Sequence, residues 1–310
     1  MVTGAWTMRK AEQQKKDFTE SEIMRGFQQY LLDTAGMQIH IKGVKHGELL
    51  ELDLPYIHRW TQEYKNKLLA KFYKLDDWFK DSGFTDATFF TFTTRQQDFK
   101  NKADQYTFLK DNFREVRNNM REFKGKFSYI WVAEPHKSGY AHIHMLAFTL
   151  FTPDECERVK HLWCDVYKAG VREALDIQLI KASSDFGKHD KSDSNKLQSP
   201  KNYILKYLKK TFTEETDLSY FMFSAVAWHM GRHPDYKRFR FYGTSRDLSS
   251  VMKLDKDDDF TAIEVTMSLP SGDDVILYDA RPEARITYNE ERTKPIYIDT
   301  SNIESWSSLS

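Results

Sequence analysis

Two strand-forming segments, Phe127–Glu134 and Tyr140–Leu150, are separated only by the short polar link Pro135–Gly139, and this pairing constrains the chain more than any other feature. Both segments are rich in β-branched and aromatic residues, and the glycine-containing link predicts an antiparallel hairpin. A lone hairpin is marginal in water, so the ribbon needs further strands or a covering helix. Upstream, Thr88–Thr94 (TFFTFTT) supplies another strand. Between it and the hairpin, Lys100–Phe123 carries Phe108, Phe113, Val116 and Met120 at helical spacing. Downstream, Thr152, Pro153 and an acid have the form of a helix start, predicting helix over Pro153–Ala174, and Asp176–Ile180 suggests a short strand. Strand, helix, strand, strand, helix, strand is the order of a ferredoxin-like or RRM-like α+β domain. It has a central antiparallel sheet with flanking helices and would span about residues 84–250.

The flanking segments differ in composition. Phe18–Leu32 and Tyr56–Asp81 show helical periodicity, the second through Tyr64, Leu68, Phe72, Leu75 and Phe79, so residues 1–83 are expected to be a helical N-terminal region. Residues 251–310 open with the acidic run Asp255–Asp259 and continue as short alternating segments, an acidic and β-rich C-terminal appendage. The formal net charge of zero hides this asymmetry. From Lys253 onward there are 6 Lys/Arg against 13 Asp/Glu, leaving 40 against 33 on residues 1–252. The basic body is therefore the candidate nucleic-acid-binding part. No apolar run approaches the roughly 18 residues of a membrane span, and the basic start lacks an apolar segment behind it, so a cytoplasmic protein without membrane contact is expected. Cys156 and Cys164, eight apart in a helical segment, are expected to be separate thiols.

Within the predicted hairpin, His142 and His144 are two residues apart in a strand and so project from the same face. Ala141, Ile143 and Met145 then face the other side and can pack on a helix. If Lys137-Ser138-Gly139 forms a three-residue loop with Gly139 in the left-handed position, Glu134 lies opposite His142 and Val132 opposite His144. Two imidazoles and one carboxylate on a sheet face suit a divalent cation, Mg²⁺ or Mn²⁺, with imidazole favouring Mn²⁺. Taken singly, each residue also fits an ordinary buried or surface role.

A further segment, Ser199–Lys210 (SPKNYILKYLKK), predicts a helix that places Tyr203, Lys206, Tyr207 and Lys210 within roughly a 100° arc. Forming phenolate near pH 7 costs about 4 kcal/mol from an unperturbed phenol, and a neighbouring lysine and a bound cation are the groups able to lower that cost. An amphipathic helix with snorkelling Tyr and Lys has the same pattern. Arg232, Lys237, Arg238, Arg240 and Arg246 interleave with Tyr236, Phe239, Phe241 and Tyr242, a composition suited to phosphate contact and base stacking on single strands, or to a solvated edge strand. His229 and His233 flank Gly231 and Arg232 in a turn-forming segment and suggest structure or phosphate contact rather than metal. There is no GxxxxGK[ST] motif, so no built-in ATP-driven helicase is indicated.

Taken in order, FTFTT (Phe90–Thr94), AEPHKSGYAHIH (Ala133–His144) and YILKYLKK (Tyr203–Lys210) resemble the three motifs of HUH endonucleases, in particular the two-tyrosine rolling-circle replication initiators of phages and of small archaeal and bacterial plasmids and viruses. FYGTSRDL (Phe241–Leu248) is similar to a segment found after the catalytic helix in some archaeal initiators. The resemblance implies His142, His144 and Glu134 as metal ligands, Tyr203 or Tyr207 as the nucleophile, and Lys206 as the cation that orients the scissile phosphate. Lys210, Arg238, Arg240 and Arg246 would contact DNA. It also implies single-stranded origin DNA as substrate and a host helicase and polymerase as partners. An HUH transposase or relaxase, or a non-catalytic RRM-like nucleic-acid binder, are the competing readings.

Overall fold

The computed structural model describes residues 18–75, 78, 86–181 and 217–252, together with the strands 260–268, 274–279, 285–288 and 295–299. In chain order the elements are α1 (Glu20–Thr34), β1 (Gln38–Lys45), β2 (Glu48–Pro55), α2 (Gln62–Tyr73), β3 (Asp86–Thr93), α3 (Lys102–Lys124), β4 (Tyr129–Pro135), β5 (Ala141–Ala147), α4 (Pro153–Lys160), β6 (Asp176–Lys181), α5 (Leu218–Met230), β7 (Tyr242–Thr244), α6 (Arg246–Val251), β8 (Phe260–Ser268), β9 (Asp274–Asp279), β10 (Arg285–Tyr288) and β11 (Pro295–Asp299). The chain divides into two compact units, one of residues 1–66 and 254–310 and the other of residues 67–253.

In the larger unit the five strands lie in the order β6-β3-β5-β4-β7, every neighbouring pair antiparallel. Without the short edge strand β7, this is the ferredoxin-like arrangement that the element order implies. Phe90 and Phe92 of β3, Ile143 and Met145 of β5, and Trp131 of β4 share one face and are buried. That face receives α3. Phe113 packs edge-on against both Phe92 and Trp131, at 5.3 and 5.5 Å between ring centroids, and Leu109, Val116 and Met120 complete the buried stripe of the helix. The start of α3 is capped by Asn101, whose side chain accepts from the Asp104 N–H at 2.8 Å, and its end by Gly125 at φ +85°.

The helix expected over Pro153–Ala174 is shorter. Its start is as the sequence suggests, with Thr152 and Glu155 forming a capping box. After Lys160 the chain widens into a π-helical turn, His161–Val166, and stops where Lys168 takes φ +50°. Gly170 then passes so close to the sheet that a Cβ there would sit 2.5 Å from the Thr93 carbonyl oxygen and from the Trp163 indole nitrogen, a packing constraint that helix periodicity does not reveal.

In the smaller unit α1 begins at Thr19 with a capping box, close to the expected start. Between α1 and α2, however, residues 38–55 form the hairpin β1–β2, which corrects the expectation of a mainly helical N-terminal region. The turn uses His46 and Gly47, both at positive φ, the backbone of a tight two-residue hairpin. β1 also pairs with β8, and β8 with β9, giving a four-stranded sheet β2-β1-β8-β9, so the C-terminal strands are integral to this sheet rather than appended to the larger unit. Among the described residues, no helix is long and apolar enough to cross a membrane. Cys156 and Cys164 are both free thiols, as expected, and burial raises the pKa of each.

Candidate metal centre

The hairpin joining β4 to β5 adopts the register read from the sequence: Glu134 pairs with His142 and Val132 with His144. His136 N–H donates to the Tyr140 carbonyl at 2.7 Å, Gly139 N–H donates to the His136 carbonyl at 2.8 Å, and Gly139 has φ +80°. The loop is bolted to the start of α3. The side chain of Gln105, completely buried, donates to the Ala141 carbonyl (2.8 Å) and to Thr94 Oγ1 (2.7 Å), and accepts from the Ala141 N–H (3.1 Å). The Tyr106 hydroxyl donates to the Gly139 carbonyl at 2.6 Å. These bonds fix the end of the ribbon that carries the first histidine.

On the face opposite α3, Glu134, His142 and His144 form a buried cluster of potential metal ligands. The two Nε2 atoms are 2.7 Å apart, and Glu134 Oε2 lies 3.2 Å from that of His144 and 3.9 Å from that of His142. A point equidistant from these three atoms is about 2.0 Å from each, inside the range of cation–nitrogen and cation–carboxylate bonds. Two imidazole lone pairs aimed at each other at such a separation repel unless a proton or cation lies between them, and a third, anionic donor beside them favours the cation. The cluster can hold a metal ion by three donors on one side, leaving the other side for further ligands.

Two neighbours set the orientation of these donors. Thr91, opposite His144 on β3, places its Oγ1 3.1 Å from His144 Nδ1. With Nδ1–H donating to that hydroxyl, the lone pair resides on Nε2, the tautomer a metal requires. The Tyr220 hydroxyl, from α5, donates to Glu134 Oε1 at 2.6 Å, turning Oε2 toward the histidines. Phe89 stacks on the His144 ring, with 5.3 Å between centroids. His136 lies 4.2 Å from the His142 ring, and its pKa is lowered by burial first and then by His144, against the opposing pull of Glu134.

The structure thus brings together Glu134, His142 and His144. Tyr203, Lys206, Tyr207 and Lys210 lie outside the described residues. Arg238, Arg240 and Arg246 are exposed, as a DNA contact requires. The aromatic residues beside the first two are not available for stacking: Phe239 and Phe241 are 1% and 3% exposed and pack with Phe223 of α5, which corrects the expectation of stacked bases there. Their alternation with arginine reflects a segment with one side in the core. Sequence reasoning missed Tyr220, Thr91 and Gln105. Thr91 lies within a recognised strand opposite a predicted ligand, so pairing logic could have found it, whereas Tyr220 and Gln105 carry no local signal.

Comparison with known proteins agrees with the motifs. Residues 87–212 match the family of the replication-associated protein ORF2. The Rep-like match begins in β3, contains the whole Glu/His/His cluster and extends into the segment that carries Tyr203 and Tyr207. It ties this part of the chain to DNA replication and bears out the family resemblance at that level. A relative from Halobacterium salinarum, described as an uncharacterized 36 kDa protein, is 28% identical over 41% of this chain and 42% of its own length. The alignment thus spans less than half of that relative. No solved structure gives a significant match.

Proposed function

We propose that the protein is a metal-dependent, HUH-type DNA endonuclease and strand transferase that initiates rolling-circle replication by nicking single-stranded origin DNA. The observation that carries this reading is the triangle of Glu134 Oε2, His142 Nε2 and His144 Nε2, sized for a divalent cation, on a ferredoxin-like sheet inside the replication-associated match. Mg²⁺ or Mn²⁺ bound there would polarise a non-bridging oxygen of the scissile phosphate.

The chain's own groups carry the other steps. Tyr203 or Tyr207 attacks the phosphorus in line, its oxygen forming the new bond as the bond from phosphorus to the 3′ oxygen breaks. The phenol proton is lost to solvent or a neighbouring base, and the departing 3′ oxygen gains a proton to become a hydroxyl that can prime a polymerase. The 5′ end stays on the enzyme as a phosphotyrosine, and the reverse reaction rejoins strands without ATP. Lys206, one residue from Tyr207 and one helical turn from Tyr203, would neutralise charge on the phosphate. Two tyrosines would let one hold an end while the other cuts. A host helicase would supply single strands, and a host polymerase would extend the primer.

The test uses the full chain with Tyr203→Phe, Tyr207→Phe and both together, incubated with Mn²⁺ and origin oligonucleotides and resolved by denaturing electrophoresis. Each single variant is expected to retain some covalent adduct and the double variant none. Adduct formed by the double variant would show that the nucleophile lies elsewhere.

A further inference from the structure

On α3, Lys110, Arg114, Arg117 and Arg121 recur at intervals of four, three and four residues, which places them within roughly a 60° arc along one flank of the helix over about 16 Å. The acids Asp104, Asp111, Glu115 and Glu122 fall on a different arc, centred roughly 120° away. The helix therefore sorts its charges by side.

The segment after α5 adds to the basic side. Three contacts hold it between α3 and the edge of β4: the Tyr236 hydroxyl donates to Asp104 Oδ1 at 3.0 Å, the Phe239 ring lies 5.0 Å from that of Tyr106, and the Phe241 carbonyl accepts from the Ala133 N–H at 2.7 Å. So anchored, it presents Lys237, Arg238 and Arg240 to solvent. Lys237 and Arg240 are near enough to Lys110 to help lower its pKa, although burial is the larger cause. Arg114 is compensated by Asp111 and Glu115, at 3.5 and 2.9 Å. Among the described residues Lys110, Arg117, Arg121, Lys237, Arg238 and Arg240 form no ion pair with a carboxylate. Six cations thus share one surface without paired acids.

The α3 side of the sheet is the one turned away from the Glu/His/His cluster, so this surface is separate from the proposed nicking centre. We infer that it is a second DNA-binding surface, one that grips the phosphate backbone of duplex DNA while the other face of the sheet acts on a single strand. The duplex is favoured over a single strand by the aromatic residues at hand. Single-strand grooves combine cations with exposed rings on which bases stack. Here Phe113, Tyr129, Phe239 and Phe241 are all at least nine-tenths buried, and the Arg117 guanidinium sits over Phe113 and Tyr129 at 5.7 and 5.4 Å. What remains accessible is charge on a rigid helix, the complement of a regular phosphate array.

This inference rests on the DNA-acting reading above, yet the two fail separately, because the Tyr203/Tyr207 double variant should lose adduct while keeping duplex binding. The test compares the full wild-type chain with Arg121→Glu/Lys237→Glu/Arg240→Glu. Anisotropy of a labelled duplex of about 25 base pairs is read between about 50 and 200 mM salt, beside binding and adduct formation with a single-stranded oligonucleotide. Removing three phosphate contacts should flatten the slope of log affinity against log salt by about 2.7 and weaken duplex binding at least ~10-fold, with single-strand binding and adduct unchanged. Unchanged duplex affinity and slope would overturn the inference. A parallel loss for duplex and single strand would also overturn it, by making this surface the single-strand path. Should the triple variant lose its native circular dichroism, Arg121→Gln and Arg240→Gln decide singly: each should lower the slope by about 0.9, and no change in either refutes the surface.

Discussion

Replacing Tyr220 by Phe removes one oxygen and leaves the ring in place, which isolates the hydrogen bond to Glu134. That bond is short, 2.6 Å, buried, and made to a carboxylate, so its loss should weaken the metal-competent orientation of Glu134 by about 1.5–3 kcal/mol, or roughly 10- to 100-fold in cation affinity. The direct assay is calorimetric titration of Mn²⁺ into the full chain. Thermal unfolding gives an independent reading. At a cation concentration of about 100 times the wild-type Kd, binding adds about 2.7 kcal/mol to stability, and a site weaker by about 30-fold would forfeit about 1.9 kcal/mol of that. Without metal, the variant should lose only the modest amount typical of one buried hydrogen bond. Glu134→Gln should reduce affinity further, since it removes the anionic donor itself. If Tyr220→Phe bound Mn²⁺ as wild type does while Glu134→Gln did not, the orienting role of α5 would be refuted. If neither changed affinity, the cluster would not be the metal site.

Other perturbations test the supports of the site. Gln105→Ala removes three buried hydrogen bonds and strands the peptide groups of Ala141, so chemical denaturation should show a loss of about 3 kcal/mol. Gly170→Ala would force a methyl group against the Thr93 carbonyl, and a fall in midpoint corresponding to about 1–3 kcal/mol or more is expected on thermal unfolding, far beyond the effect of an exposed Gly→Ala change. Glu155 gives a pH signature. Its own burial raises its pKa, but hydrogen bonds from Lys124 and the Thr152 cap outweigh that and hold it below the usual carboxylate value. The stabilisation is therefore present above the ordinary glutamate pKa and is lost as pH falls through the lowered folded value, and Lys124→Met should reduce this acid-side dependence in unfolding measured against pH.

The parts of the fold legible in the sequence are those with one buried face. β3, β4 and β5 alternate, α3 repeats at helical spacing, and a loop of defined length ending in Gly139 sets the Glu134–His142 register from local geometry alone. Segments buried on more than one side are not legible in this way. Leu218–Met230 is almost continuously apolar because Tyr220, Phe223, Val226 and Met230 all find cover, and an element without an exposed face shows no periodicity. The β1–β2 hairpin escapes sequence reading for a different reason: its turn signal is His46-Gly47 rather than the familiar Asn-Gly, and Gln38–Pro55 carries many charged residues on its open face. The metal ligands lie within eleven residues of one another, so strand geometry alone could assemble them, whereas Tyr220 reaches Glu134 from 86 residues away.

The pairing of β1 with β8 has a consequence for how the molecule is made. His40 lies opposite Thr266, so during synthesis at about 5–20 residues per second the ribosome needs on the order of 10–45 s to deliver the second strand after the first has emerged. Throughout that interval one margin of β1 keeps its amide groups unsatisfied, while every strand of the replication-matched sheet has already been translated. Nascent chains are therefore most open to strand-mediated association at this early ribbon, and folding of the smaller unit must be the last event on the polypeptide.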